Sequence, residues 1–261
     1  MQMRFKIFRF DPELDREPRY QDYVVSARPE ERILDCLNRI RWEQDGTLAY
    51  RMSCAHGVCG SDGMRINGRC ALACQKLVRD YLKIPPNPPL IKGGRGDLPE
   101  IQVQAEHESR EEAHIVLEPL PFFPVVKDLI VDMEDFLERI RAIRPYLLAS
   151  TEPPEKERLQ SPEEQRKVDA VIRCILCACC TGSCPVMFEN RQYVGPAALV
   201  WAFRYIFESR GEQRPERLRQ VDTPDGVWSC VNHFECTRAC PKQIPITKSI
   251  NTLKRELEKP G

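Results

Sequence analysis

The chain has 261 residues, and its 39 Lys plus Arg balance 39 Asp plus Glu, so the net charge is zero. This balance argues against nucleic-acid binding, which usually needs a basic face. The longest uncharged run without clustered cysteines, residues 192–203, is shorter than the roughly 20 apolar residues that span a bilayer. No signal or transit peptide pattern precedes the first strand-like segment. We therefore expect a chain without a transmembrane segment, made where it works.

The first half of the chain has the patterns of a β-rich domain. Residues 3–10 alternate apolar and basic side chains, which predicts a half-buried strand, and residues 20–27 predict a second one. A helix with one apolar face is predicted to begin at Pro29. An Asn-Gly pair at 67–68 predicts a hairpin, and residues 114–120 predict a last strand. Two strands, a helix and further strands favour a β-grasp arrangement.

Composition divides the chain into two predicted domains. Residues 83–112 are rich in Pro, Gly and charge, which predicts an exposed, irregular insertion; a docking loop is the alternative. The stiff segment 119–124 (PLPFFP) predicts the domain boundary. We thus expect a β-grasp domain over residues 1–121 and a second domain over residues 125–261.

The second domain has helical patterns throughout. Apolar residues recur with a helical period over residues 127–143. Ser161 followed by Pro162 and two glutamates is typical of a helix N-terminus. Residues 196–209 and 245–258 predict two further helices. The predicted fold class is therefore α+β, with an all-helical second domain.

Thirteen cysteines dominate the functional signal of the chain. Without an export signal, disulfides are not expected, because the cytosol keeps thiols reduced. The cysteines are clustered at short, regular spacings, and this arrangement indicates metal binding instead.

The first cluster of candidate ligands has the pattern Cys54-x4-Cys59-x2-Asp62, with Cys74 twelve residues later. A plant-type two-iron site uses Cys-x4-Cys-x2-Cys and a distant Cys, so Asp62 occupies the third ligand position. The sequence predicts a 2Fe-2S cluster on these four residues. The alternative is that Asp62 caps a turn, in which case Cys70 is the only competing thiol nearby. Glycines in this segment let the backbone wrap closely around an inorganic core: Gly57, Gly60 and Gly63.

Two further cysteine runs match each other. Residues 174–185 follow Cys-x2-Cys-x2-Cys-x3-Cys-Pro, the pattern of bacterial two-cluster proteins. Residues 230–241 repeat it with His233 in place of the middle cysteine. In this pattern the first three cysteines of a run share a cluster with the last cysteine of the other. The predicted ligands are Cys174, Cys177, Cys180 and Cys240 for a 4Fe-4S cluster and Cys184, Cys230 and Cys236 for a 3Fe-4S cluster.

Two alternatives accompany this assignment. His233 could bind a fourth iron in the third cluster, because imidazole ligates iron. Structural zinc is the alternative for all these cysteines, since Cys-x2-Cys pairs also bind zinc. Cys179 is out of register with the ligand pattern, and Cys36 lies on the apolar side of a predicted helix. We expect neither residue, nor Cys70, to bind a cluster.

These three signatures, in this order, resemble the iron–sulfur subunit of succinate dehydrogenase or quinol:fumarate reductase, the respiratory complex II family. Apart from the insertion at 83–112, the resemblance covers nearly the whole chain. It implies a plant-type ferredoxin domain followed by a bacterial-ferredoxin-like domain. The segments that carry it, besides the ligands at 54–74, are CILCACC at 174–180, SCP at 183–185, ECTRACPK at 235–242, PVVKDLIVDM at 124–133, RPYLL at 144–148 and VGPAALVWAFRYIFESR at 194–210.

The resemblance implies a role in electron transfer. In that family a flavoprotein subunit with FAD oxidises succinate, and the electrons pass through 2Fe-2S, 4Fe-4S and 3Fe-4S clusters to a quinone at membrane-anchor subunits, some of which carry haem b. The dicarboxylate chemistry belongs to the flavoprotein, so no catalytic residue is expected here. The chain would lie peripherally on the cytoplasmic face of a bacterial or archaeal inner membrane.

The quinone end and the direction of electron flow are less well defined. Pro185 matches a residue near the quinone in some members, but Val186, Glu189 and Val231 replace the common Ser, Trp and His. Glu189 is expected to be exposed or ion-paired, with a proton relay as the alternative. Asp62 resembles the succinate dehydrogenases, whereas GVWSC at 226–230 resembles the fumarate reductases. The alternative function is therefore a fumarate reductase working in reverse, or one with a non-quinone partner.

Overall fold

The structure, a computed structural model, describes residues 1–82, 114–148, 152 and 154–259. The predicted insertion at 83–112 lies outside these ranges. The described chain begins with a mixed β-sheet and continues with helices, so the combination of strand and helix expected from the sequence is confirmed.

A five-stranded sheet forms the first part of the chain, in the order β2-β1-β5-β3-β4. The central strand β1 (Gln2–Arg9) pairs antiparallel with β2 (Arg19–Ser26) and parallel with β5 (His114–Glu118). Strands β3 (Gly63–Ile66) and β4 (Arg69–Leu72) form the predicted hairpin, and β3 pairs antiparallel with β5. The three strand segments and the hairpin that the sequence predicts are therefore confirmed.

Helix α1 (Ile33–Glu43) carries the apolar face that its sequence predicts. The helix begins at Ile33 rather than at Pro29, because the Asp35 carboxylate accepts a hydrogen bond from the backbone N–H of Arg32 and caps the helix there. Its buried side chains join the core that the inward-facing residues of β1 also enter. Cys36 is fully buried in that core, as its position on the apolar face predicts.

The helix predicted over residues 127–143 is wrong in its first half. Strands β6 (Val125–Lys127) and β7 (Ile130–Val131) form a short ribbon, and helix α2 occupies only Glu134–Ala142. The region 125–261 is therefore not all-helical. The ribbon turns at Asp128, which has a φ of 47°. Tertiary hydrogen bonds decide its conformation, because the backbone N–H of Asp128 donates to the carbonyl of Phe10 at 2.8 Å.

Seven further α-helices follow in the described part of the chain, joined by turns and loops. Ser161 caps α3 as predicted: its hydroxyl accepts from the backbone N–H of Glu164 at 3.2 Å, and the Glu164 carboxylate accepts from the Ser161 N–H at 2.8 Å. None of the helices in the described ranges has the length and apolar character that crossing a membrane requires. The helices are α3 (Pro162–Val168), α4 (Cys179–Gly182), α5 (Pro185–Glu189), α6 (Pro196–Ile206), α7 (Arg214–Val221), α8 (Glu235–Arg238) and α9 (Ile246–Leu257).

The cysteine-bearing loop before β3 packs directly against the helical part of the chain. A Cβ atom added to Gly60 would lie 2.8 Å from the Cβ of Cys177. A Cβ added to Gly63 would lie 2.9 Å from the carbonyl oxygen of Cys177. On the same loop, the carbonyl of Gly57 accepts a hydrogen bond from Lys242 Nζ at 3.4 Å. The backbone of the first half therefore touches a cysteine of the second half, which only glycine permits at this separation.

A buried ion pair attaches the ribbon to the sheet. Arg9 and Asp128 are 4% and 1% exposed, and Arg9 Nε donates to Asp128 Oδ1 at 3.0 Å. The same carboxylate accepts from the backbone N–H groups of Phe10 at 3.0 Å and Ala49 at 2.9 Å. One carboxylate thus joins three segments that are far apart in sequence.

Replacing Asp128 with alanine should strongly destabilise the chain. The substitution removes one of the two carboxylates that contact the buried Arg9 and leaves the backbone N–H groups of Phe10 and Ala49 without their acceptor. Each buried group left unpaired costs about 1–3 kcal/mol. Urea unfolding of the purified chain measures the loss. Asp22→Ala is the control, because Asp22 meets Arg4 at 3.9 Å with both side chains largely exposed, and removing such a pair costs about 0–1 kcal/mol. Equal effects of the two variants would contradict the role given to Asp128.

Replacing Gly60 with alanine should lower the melting temperature more than replacing Gly68. Both glycines have left-handed backbone, with φ of +70° and +79°, so each alanine adds conformational strain of about 1–2 kcal/mol. At Gly68 the nearest atom to the added Cβ is an Arg65 nitrogen at 3.9 Å, whereas at Gly60 the Cβ also overlaps Cys177. Calorimetry on both variants measures the difference. Matching melting temperatures would show that the contact with Cys177 is not tight.

Candidate metal centres

The first site lies in the loop between α1 and β3, where backbone N–H groups point at the sulfur of Cys54. The Cys54 Sγ accepts from the N–H of His56 and of Val58 at 3.4 Å and of Cys59 at 3.3 Å. These bonds stabilise a thiolate, and they lower the pKa of Cys54 to about 6. The Cys59 Sγ in turn accepts from the N–H of Cys54 at 3.4 Å. The loop thus surrounds the two thiols with its own backbone N–H groups. Such hydrogen bonds orient sulfur ligands before metal binds.

Asp62 faces Cys74 across this loop. Asp62 is only 3% exposed, and its Oδ2 accepts from the backbone N–H of Cys74 at 2.5 Å. Burial first, and then the Asp62 carboxylate, raise the pKa of the Cys74 thiol to about 12. The hydrogen bond is the turn-capping contact that the sequence left as an alternative, and it also holds the carboxylate beside the Cys74 sulfur. The structure therefore brings all four predicted residues of this site together.

Cys70 is buried away from these four residues. A Cβ added to Gly182 would lie 3.4 Å from the Cys70 Sγ, so this thiol packs against helix α4. Burial raises the pKa of Cys70, and Ser183 partly offsets the effect by hydrogen bonding. Cys70 is thus a buried thiol at the contact between the sheet and the helices.

The second site is a small cavity between the two matching cysteine runs. Its apolar wall comes partly from Ala197 and Val200 of helix α6 and from Ile244. Burial raises the pKa of Cys180 well above its ordinary value, and the neighbouring thiols raise it further. This mutual influence requires the thiols to lie close together. The predicted set lines the cavity: Cys174, Cys177, Cys180 and Cys240.

The two runs wrap in the same way. Leu176 and Ala178 have φ of 54° and 61°, and the residues at the same places in the second run, Asn232 and Phe234, have φ of 64° and 65°. Left-handed backbone is uncommon for residues other than glycine. Its recurrence at equivalent positions shows that the chain bends identically around both sites, as the matched spacing suggests.

Helices α4 and α6 carry buried polar atoms without a hydrogen-bond partner. In the part of the chain that the structure describes, these atoms are Thr181 Oγ1, Trp201 Nε1 and Arg204 Nε. The two helices pack against each other. Other residues of the same helices, Cys180, Ala197 and Val200, line the second cavity.

The third site is a second cavity, lined by Cys184, Cys230 and Cys236. Burial raises the pKa of Cys184 to about 11, and the other two thiols add to the effect. Tyr193, which is 1% exposed, also lines this cavity. His233 lies on the same lining, so the alternative in which it supplies a fourth ligand stays open.

The three sites form a continuous series. Gly60 and Gly63 of the first loop contact Cys177 of the second site. Between the second and third sites, Cys236 lies close enough to Cys180 to raise the pKa of that thiol. The sites therefore follow one another in space in the order first, second, third. Neighbouring sites are separated by loops that carry ligands and not by a layer of core side chains.

Two of the remaining candidates of the sequence, Pro185 and Val231, line the third site. Pro185 also begins helix α5. Glu189 at the end of that helix is exposed, as expected from the sequence. Val231 is 62% exposed at the opening of the site. Cys179, out of register in the pattern, is fully buried, and its thiol lies 3.5 Å from the point that a Cβ on Gly63 would occupy.

Thiol-rich sites of this kind suit iron–sulfur clusters. Such clusters are held by thiolates set around an inorganic core. Sequence reasoning missed Ala197 and Val200, which line the second cavity, although they have the spacing of one helix face.

Each half of the chain matches the model of a known protein family. Residues 4–138 match the model of a 2Fe-2S iron-sulfur cluster binding domain. Residues 170–244 match the model of a 4Fe-4S dicluster domain. Zinc, the alternative for these cysteines, is not favoured by either match.

Individual relatives agree along nearly the whole length. A succinate dehydrogenase iron-sulfur subunit of Coxiella burnetii is 40% identical over 258 residues, which cover 98% of this chain and 97% of that protein. The subunit of the same name from Paracoccus denitrificans is 35% identical, covering 96% and 86%. A chain of the Mycobacterium smegmatis Sdh1 complex in the apo form shares the fold, with a TM-score of 0.76, 22% identity, and coverage of 98% and 95%. The chain belongs to the family of succinate dehydrogenase iron–sulfur subunits.

Proposed function

We propose that this chain is the electron-transfer subunit of a succinate:quinone oxidoreductase, with the dicarboxylate chemistry carried out by a partner flavoprotein. The observation that carries the proposal is the series of three thiol-lined sites, each in contact with the next. Membership of the succinate dehydrogenase family indicates that succinate is the substrate of the complex.

We assign the ligands as the cysteine pattern predicts. The 2Fe-2S cluster takes Cys54, Cys59 and Cys74 together with the Asp62 carboxylate. The buried position of Asp62 beside the Cys74 sulfur supports its role. The two cavities support the other sets: Cys174, Cys177, Cys180 and Cys240 for the 4Fe-4S cluster, and Cys184, Cys230 and Cys236 for the 3Fe-4S cluster.

These sites are carried by two proposed domains. The first, residues 1–121, is a β-grasp domain of the plant-type ferredoxin kind, which the mixed sheet and helix α1 support. The second, residues 125–261, is a bacterial-ferredoxin-like domain, which the matched left-handed residues of the two runs support. Its short ribbon at 125–131 is an addition to the helical fold.

The side chains of this protein would control electron transfer by position and environment. Bound clusters supply one-electron oxidation and reduction. The apolar walls of the second cavity exclude water, which sets the dielectric around the ligand sulfurs. The backbone N–H groups at Cys54 stabilise negative charge on that sulfur. The glycine contacts with Cys177 keep the loop of the first site directly against a proposed ligand of the second site.

The two ends of the series of three sites indicate where the partner subunits would bind. A flavoprotein with FAD would meet the loop of the first site, where Val58 and Met52 are exposed apolar residues. Membrane-anchor subunits, with a quinone and in some complexes haem b, would meet the third site. Val231 and Phe234 line that cavity and are 62% and 49% exposed, which supports an apolar partner there. Pro185 would lie near the quinone.

We place the subunit peripherally on the cytoplasmic face of a bacterial or archaeal inner membrane. The second candidate function is a fumarate reductase that works in the reverse direction or with a non-quinone partner. The exposed apolar side chains around the third site favour an apolar acceptor over a soluble one.

The assembled complex should contain a three-iron cluster. Electron paramagnetic resonance of the oxidised complex should show the signal typical of such clusters, and Cys236→Ala should abolish it together with succinate-dependent quinone reduction. Cys36→Ala is the control, because Cys36 is a thiol fully buried in the core beside helix α1 and is not one of the proposed ligands. Two four-iron signals on reduction, without a three-iron signal on oxidation, would mean that His233 completes the third cluster.

Replacing Asp62 with cysteine should keep the 2Fe-2S cluster and change its reduction potential. A thiolate donates more electron density to iron than a carboxylate does, so the midpoint potential measured by redox titration should move. Cys70→Ala should leave the same potential unchanged, because that thiol packs against α4. An unaltered potential in Asp62→Cys would argue that Asp62 is not a ligand.

A further inference from the structure

The side chain of Lys242 reaches from the second site to the loop of the first. Lys242 lines the second cavity, and its Nζ donates to the carbonyl oxygen of Gly57 at 3.4 Å. The two residues are 185 positions apart in the sequence. This contact places a positively charged group between the two sites, and the ligand assignment does not use it.

A tight turn after Cys240 fixes the backbone of Lys242. The N–H of Gln243 donates to the carbonyl of Cys240 at 3.0 Å, and the N–H of Ile244 donates to the Cys240 Sγ at 3.4 Å. Gln243 has a left-handed φ of 54°. Lys242 thus lies inside a turn that closes around a proposed ligand of the second site, and its side chain extends to the first loop.

The peptide group that accepts the Lys242 hydrogen bond also donates to a proposed ligand of the first site. The carbonyl of Gly57 and the N–H of Val58 belong to the same peptide group, and this N–H donates to the Cys54 Sγ at 3.4 Å. Hydrogen bonds in such a chain polarise one another, so a cation at the carbonyl oxygen makes the N–H a better donor. Lys242 is therefore linked to the Cys54 sulfur through one peptide group.

The charge of Lys242 differs from that of the other cation on this loop. Arg32 Nη1 donates to the carbonyl of Ala55 at 2.5 Å, but its guanidinium also makes two bonds of 2.9 Å to the Asp35 carboxylate. Among the described residues no carboxylate forms an ion pair with Lys242. Lys242 is also partly buried, and such a charge is screened less than an exposed one. The positive charge of Lys242 is thus felt at the loop.

We propose that Lys242 is a positioning residue for electron transfer between the first two sites: its ammonium group, acting through the peptide group of Gly57 and Val58, stabilises negative charge at the Cys54 sulfur and raises the reduction potential of the 2Fe-2S cluster. The proposal rests on the proposed function. Reduction adds one electron, and no covalent bond forms or breaks. The reduced state is more negative, so a nearby cation and a stronger N–H donor both favour it.

The test is Lys242→Gln in the whole complex, with the potential of the 2Fe-2S cluster measured by redox titration. Glutamine keeps an N–H donor and removes the charge. We expect the one-electron reduction constant to fall about tenfold, which is a shift of about 59 mV to a more negative potential. Lys242→Arg keeps the charge and should retain the wild-type potential. An unchanged potential in Lys242→Gln, with full 2Fe-2S content, would overturn the proposal.

Lys248→Gln is the matched control. Lys248 is exposed on helix α9, where water and salt screen its charge. This variant removes the same charge from the chain and should leave the 2Fe-2S potential unchanged. A shift as large as that of Lys242→Gln would indicate a general effect of net charge and would rule out the specific role of Lys242.

A second variant, Lys242→Met, removes both the charge and the donor and should lower the 2Fe-2S potential at least as far as Lys242→Gln. Loss of the cluster in both neutral variants would show that Lys242 acts in assembly, which contradicts a role in setting the potential. Neutral variants with unshifted potentials leave the proposed function standing. A wild-type complex without a 2Fe-2S signal on reduction contradicts the proposed function as well.

Discussion

The close approach of the Gly60 and Gly63 backbone to Cys177 is the constraint on which the arrangement of this protein depends. It joins the sheet-based half to the helical half at the point where the first and second sites meet. Any side chain at Gly60 would enter the space of the Cys177 Cβ. Electron transfer between centres falls off with distance, so a backbone contact at this point serves function directly. The stability of the fold and electron transfer between the first and second sites therefore depend on the same backbone contact.

Burial of thiols is the second property of the sites, and it couples the fold to what it binds. Apolar residues of α6 and of the segment before α9 enclose the second cavity. Burial raises the pKa of Cys174, Cys180 and Cys240, so a chain without iron would hold neutral thiols at these positions in an apolar space. Metal binding replaces those protons. The thiols of the second cavity are therefore best accommodated when a cluster is bound.

The two departures from an all-cysteine pattern differ in their surroundings. Asp62 is buried, and its carboxylate is oriented by the backbone N–H of Cys74. His233 is exposed at the opening of the third cavity, on a loop with the exposed apolar Val231 and Phe234. A buried, oriented carboxylate is well prepared to bind iron. The His233 imidazole is exposed and also lines the third cavity.

The amino-acid sequence by itself determined the local features of this protein. Residue alternation identified β1, strand-like segments identified β2 and β5, the Asn-Gly pair identified the hairpin, and cysteine spacing grouped the residues that line each site, because these signals lie within a few neighbouring residues. The tertiary structure alone decided the ribbon at 125–131, where the hydrogen bonds that join Asp128 to Phe10 and Ala49 override a helical period. It also decided the contact of the first loop with Cys177. These features depend on segments that are distant in sequence, and no local pattern records which atoms will meet.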